Sequence, residues 1–218
     1  MSDIKEVHHF DNDRIDWTTS QDSELHRHFN WNHNDVIRGE ATPIYTYWPN
    51  SITRLRKYNP SAKLIIGLRQ PALRAFSHWK MEYKRGFEPI QSFSDATSQW
   101  ARDRVRFAPA GVHRVFSYVE RGYYAPQIRN VLAHFPRENI HFFRTETLWL
   151  EPARTIGAVL DFLGLATPIP TTANAAYIVS VDTRGGGQIG ADDFDKLTEL
   201  FADDIEETAK LTNLELSN

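Results

Sequence analysis

The chain has 218 residues, 41% hydrophobic and 12% aromatic, which is enough for one globular domain with a sizeable core. Its 25 Lys and Arg against 28 Asp and Glu give a formal charge of −3, so there is no general attraction to nucleic acid or an anionic membrane, and any positive field is local. The absence of cysteine excludes disulfides, thiolate nucleophiles and cysteine-based zinc sites, while a polar N-terminus and the lack of a long apolar run predict a soluble, cytoplasmic protein.

Residues 4–10 read as a short strand, followed by an Asn- and His-rich stretch to residue 34 without a long helix. A helix is expected over 51–58, closed by Asn59 and Pro60. The run 63–68 is a second strand, and Pro71 opens a helix directly after it. A loop and a short helix starting near Ser94 follow. Residues 118–132 carry helical periodicity with a break implied by Gly122 and Pro126, and 139–143 form another strand, ended by Thr145 and Glu146. An amphipathic helix from Pro152 ends at Gly164, and a last helix is expected from Ala191 to about Leu211, with Asp192 and Asp193 in its first turn. Strands alternating with helices predict one α/β domain over 1–218, three layers with a mainly parallel central sheet, whose ligands sit beyond the carboxyl ends of the strands.

The most informative stretch is KLIIGLRQPALRAFSHWK, residues 63–80, where an apolar strand stops at Arg69 and a proline-started helix follows. The first N–H groups and the dipole of such a helix favour an anion. Side chains on a helix lean toward its N-terminus, so the Ser77 hydroxyl is expected to face the same phosphate as Arg69.

The spacing Arg69, Pro71, Arg74, Ala75, Ser77, His78 resembles the 3′-phosphate motif of sulfotransferases that use 3′-phosphoadenosine 5′-phosphosulfate. The resemblance implies a sulfotransferase fold related to that of phosphate-loop nucleoside triphosphatases, with Arg69 and Ser77 holding the nucleotide's 3′-phosphate. GEATP, residues 39–43, is similar to a segment of the heparan-sulfate-type and related bacterial enzymes and implies Glu40 as the catalytic base. KEVHHFD, residues 5–11, resembles the strand whose Lys and His lie near the transferring group, implying roles for Lys5 and His8. Arg184 and Gly185, in DTRGGGQIG, fall where the family has a basic, Gly-containing loop over the nucleotide. The implied acceptor is a hydroxyl or amine of a carbohydrate or small metabolite, with neither nucleic acid nor membrane as partner and no metal required.

One departure stands out. The family's Lys-x-Gly-Thr-(Thr/Ser) loop, which grips the 5′-phosphosulfate, is found neither before Lys5 nor elsewhere. A truncated or divergent sulfotransferase lacking its first strand is therefore expected, with impaired turnover, and the uncovered sheet edge is a motive for self-association. The alternative is a non-catalytic nucleotide- or glycan-binding remnant of the same fold. His26, His28 and His33 lack the spacing of a metal site, and Trp79, Trp100 and Trp149 read as packing residues.

Overall fold

The computed structural model describes residues 1–19, 22–32, 36–165 and 187–216. They form two compact units, Met1–Ala62 with Asn130–Pro136, and Lys63–Arg129 with Arg137–Asn218.

The first unit carries the short helix α1 (Asp22–His26), a 3-10 turn over Pro43–Thr46, and α2 (Ser51–Tyr58). Its core gathers Phe10, Leu25, Ile44 and Tyr45, flanked by Trp17, Trp48 and Tyr58. Residues 4–10, expected as a strand, are instead an irregular segment. Glu6 and His8 adopt left-handed backbone angles, φ 58° and 55°, which no strand accommodates. The N–H groups that a sheet would have taken go to side chains: His8 to Thr42 Oγ1 at 3.4 Å, His9 and Phe10 to Tyr45 Oη at 3.0 and 3.4 Å.

The second unit contains the sheet. β1 (Leu64–Leu68) pairs in parallel with β2 (Ile140–Arg144), from Leu64 opposite Ile140 to Leu68 opposite Arg144. Between the strands run α3 (Pro71–Lys84), α4 (Phe93–Ala96), α5 (Gln99–Arg106) and α6 (Tyr124–His134), of which residues 124–129 belong to this unit; after them come α7 (Thr145–Leu150), α8 (Pro152–Leu163), α9 (Ala191–Leu200) and α10 (Ala202–Thr212). The helical crossover is what two neighbouring parallel strands require. The result is an α/β architecture with a parallel sheet; among the described residues that sheet has two strands.

Two helix expectations change. Pro126 does not break α6, because it falls in the helix's first turn, where no intrahelical N–H is needed; the interruption is at the 3-10 turn Glu120–Gly122. The single C-terminal helix is two, joined at Phe201, whose fully buried ring packs edge-on to Tyr123 at 5.0 Å. A Cβ at Gly122 would lie 2.6 Å from that ring, so glycine there permits the approach. The joint also lets Asp204 accept the N–H groups of Tyr124 and Ala125 at 2.7 and 3.1 Å, capping α6 from another element. The helix from Pro152 ends as expected, with Gly164 left-handed at φ 75°.

Candidate functional site

In the second unit, Arg69 lies one residue beyond β1 and is half-buried, its guanidinium over the Trp149 ring at 4.9 Å. Trp149 thus packs against the proposed phosphate ligand. The Arg69 carbonyl accepts the buried Tyr124 hydroxyl at 3.0 Å, which fixes the backbone from which the guanidinium projects.

The helix that follows departs from expectation at its first turn. Pro71 has no N–H, Gln70 Oε1 accepts Leu73 N–H at 2.9 Å and the Gln70 carbonyl accepts Arg74 N–H at 3.0 Å, so the N-terminus of α3 is largely capped from within. Gln70 is buried and held by Thr198 Oγ1 at 3.2 Å. An anion at this turn would consequently be met by side chains rather than by the helix N–H groups. Ser77 is half-buried on α3, six positions past Pro71, which is about 9 Å along the axis.

Cationic charge is concentrated around the same helix. His78 is held well below the ordinary imidazole range, first by burial and then by the charges of Arg74, Arg121 and Arg85. Arg74 itself donates to the Tyr118 carbonyl. Arg121 was not singled out by the sequence motif, because it belongs to a separate segment; only the fold brings its charge to bear on α3. Arg184 and Gly185 lie outside the described residues.

In the first unit, the residues expected to act near the acceptor cluster in an unanticipated pattern. His8 stands between two carboxylates, Nδ1 at 2.9 Å from Asp11 Oδ2 and Nε2 at 3.6 Å from Glu6 Oε2. Asp11 is fully buried, whereas Glu6 is partly exposed and Lys5 Nζ, largely in solvent, lies 3.7 Å from Glu6 Oε1. Glu40 accepts the Thr42 hydroxyl at 2.8 Å, and Thr42 in turn receives His8 N–H. Burial first, then the Glu40 charge, push the Tyr45 phenol far above its ordinary range. GEATP therefore braces the loop carrying His8.

Glu6 and Asp11 are the members that sequence reasoning missed. Glu6 had a signal, since residues two apart in an extended segment share a face and reading 4–10 as a strand already put it beside His8; Asp11, three residues away, had none. The two left-handed residues in one short segment are costly, about 1–3 kcal/mol each, a kind of strain that collects at functional sites. The histidines that invited a metal reading have other partners, His26 with Tyr58 Oη at 2.9 Å and His28 with Asp3 at 2.8 Å; His33 is outside the described residues.

With this geometry in hand, comparison with known proteins places the chain. Its architecture and motif pattern are those of sulfotransferases, and a family model described as the sulfotransferase domain matches residues 8–180. The chain belongs to that family. It is 30% identical over 131 residues to heparan sulfate glucosamine 3-O-sulfotransferase 6 of Mus musculus, covering 59% of this chain and 35% of that protein. Against heparan sulfate glucosamine 3-O-sulfotransferase 3B1 of Homo sapiens it is 30% identical over 130 residues, 59% of this chain and 31% of the relative. The matched region thus spans about a third of these curated relatives. A crystal structure of a sulfotransferase from Alicyclobacillus acidocaldarius superposes with a TM-score of 0.79 at 23% identity, covering 97% of this chain and 84% of that one, and so shares the fold. Among the described residues no helix is long and apolar enough to cross a membrane.

Proposed function

We propose that the protein moves a sulfuryl group from 3′-phosphoadenosine 5′-phosphosulfate to a hydroxyl or amine of a carbohydrate or small metabolite. The observation that carries the reading is the strand-to-helix turn at Arg69 and Ser77, set among cationic side chains in a chain of the sulfotransferase family. Arg69 and Ser77 hold the 3′-phosphate, with Arg184 and Gly185, which precede α9 in the sequence, contributing further contacts. An Arg–phosphate contact is a charge-assisted hydrogen bond, strong enough to orient the nucleotide.

In the step itself, the acceptor oxygen or nitrogen attacks sulfur and a new bond to sulfur forms. The bond between sulfur and the bridging phosphate oxygen breaks, and its electron pair leaves with adenosine 3′,5′-bisphosphate. The acceptor's proton passes to a carboxylate base. Glu40 is the base implied by family resemblance; Glu6, whose partly exposed carboxylate lies 3.6 Å from His8 Nε2, is the second candidate. His8, fixed by buried Asp11, and Lys5 supply further electrostatic help.

The hydrogen bond that Glu40 accepts from Thr42 favours one second reading, a nucleotide- or glycan-binding role without turnover. The test is transfer of labelled sulfate from the donor in parallel with thermal stabilisation by adenosine 3′,5′-bisphosphate. Stabilisation with transfer supports the enzyme, stabilisation alone the binding protein, and neither would remove the proposal.

A further inference from the structure

A cavity of about 150 Å³ opens in the first unit between residues 7–15 and α1, and His8 forms part of its wall. Its volume is well under the roughly 300 Å³ at which drug-sized ligand pockets begin, so it takes one ring or one end of a longer molecule. The wall mixes Val7 and Ile15 with Asn12, Glu24 and Arg27. Apolar contact beside hydrogen-bonding groups of both kinds suits a ring with C–H faces and a hydroxylated edge.

The charge is balanced throughout. Arg27 pairs with Glu24 at 3.0 Å, His28 with Asp3 at 2.8 Å, and His8 lies between Asp11 and Glu6. Residues 1–62 carry seven Lys and Arg against nine Asp and Glu. A sulfated polysaccharide binds through a surplus of cations, and here there is a small surplus of anions.

Resting on the sulfuryl-transfer reading, we infer that this cavity seats the acceptor, and that the acceptor is an uncharged hydroxyl compound presenting about one sugar ring to His8, not a polyanionic glycan.

The probe is methyl β-D-glucopyranoside, tested on the whole chain for binding by saturation-transfer NMR and for sulfation with labelled donor, with heparan sulfate as the competing acceptor. Ile15→Trp fills the cavity and Glu24→Ala removes hydrogen-bond acceptors at its rim; adenosine 3′,5′-bisphosphate stabilisation reports that each variant is folded. The glucoside is expected to bind and be sulfated, with its KM raised at least about tenfold in Ile15→Trp and several-fold in Glu24→Ala. No glucoside binding by wild type, unchanged binding in both variants, or preferred sulfation of heparan sulfate overturns the inference. Binding lost in Ile15→Trp without any sulfated product in wild type upholds the sugar pocket and overturns the transfer reading on which its acceptor role rests.

Discussion

The phenolic oxygen of Tyr45 accepts the backbone N–H of His9 at 3.0 Å and that of Phe10 at 3.4 Å, so a single buried side chain does the work of a neighbouring strand. Tyr45→Phe keeps the ring and leaves both buried N–H groups without that acceptor. A loss of about 1–3 kcal/mol is expected from the unsatisfied groups. Denaturant melting measures it, and amide exchange should quicken at His9 and Phe10 before elsewhere. An unchanged midpoint would show that the hydroxyl does not hold the loop.

The proton acceptor is decided by a pair of substitutions. With Glu6 as base, Glu6→Gln lowers the transfer rate by about a hundred- to ten-thousand-fold, the usual contribution of a positioned base. Glu40→Gln then acts only by weakening the brace through Thr42, with a loss of tenfold or so from a displaced His8. The reverse order of effects would return the role to Glu40. Nucleotide stabilisation, unaffected in both variants, separates chemistry from folding.

For the donor clamp, Arg69→Ala and Ser77→Ala are expected to weaken adenosine 3′,5′-bisphosphate binding. A lost charge-assisted bond costs about 1.5–3 kcal/mol, or roughly ten- to a hundred-fold in affinity for Arg69, and a neutral one about 0.5–1.5 kcal/mol for Ser77. Calorimetric titration reads both. Equal affinity for the nucleotide and for its 3′-dephosphorylated form, adenosine 5′-phosphate, would show that the turn does not recognise the 3′-phosphate.

Local chemistry made much of this fold legible. Pro71 after an apolar run, Gly164 after an amphipathic one and the Asn59–Pro60 stop each act within a few residues, and the helices and strands they bound lie where the pattern put them. What stayed hidden depends on distant partners. The loop at 4–10 looks like a strand until Thr42 and Tyr45 claim its N–H groups, and the final helix looks continuous until Phe201 is drawn down onto Gly122. The same holds for the candidate site. Arg69 and Ser77 sit in one contiguous motif, and strand periodicity already sets Glu6 beside His8, but bringing Asp11 to the same ring needs left-handed turns that no periodicity announces.

Glu88 offers the clearest prediction about stability. It is buried, with Arg104 donating to both oxygens at 3.0 Å, Tyr118 Oη at 2.9 Å and Ile90 N–H at 2.8 Å. Burial alone would raise its carboxyl; the bonds from Arg104, Ile90 and Tyr118 outweigh it and hold the group below the usual carboxylate range. Arg104 also covers the Phe116 ring at 4.0 Å. Arg104→Ala leaves a buried charge with fewer donors and is expected to cost about 3–5 kcal/mol.

The pH dependence follows from the same shift. Because the folded carboxyl is depressed, its contribution is complete above the ordinary carboxylate range and disappears as pH falls through the folded value. Glu88→Gln, which keeps the shape and removes the titration, should therefore lower stability at neutral pH and flatten the loss between about pH 5 and the acid limit. Chemical denaturation at a series of pH values checks the slope. A variant as acid-sensitive as wild type would assign that sensitivity to other groups, His78 first among them, because burial and three arginines hold it neutral and its protonation opposes folding below the ordinary imidazole range.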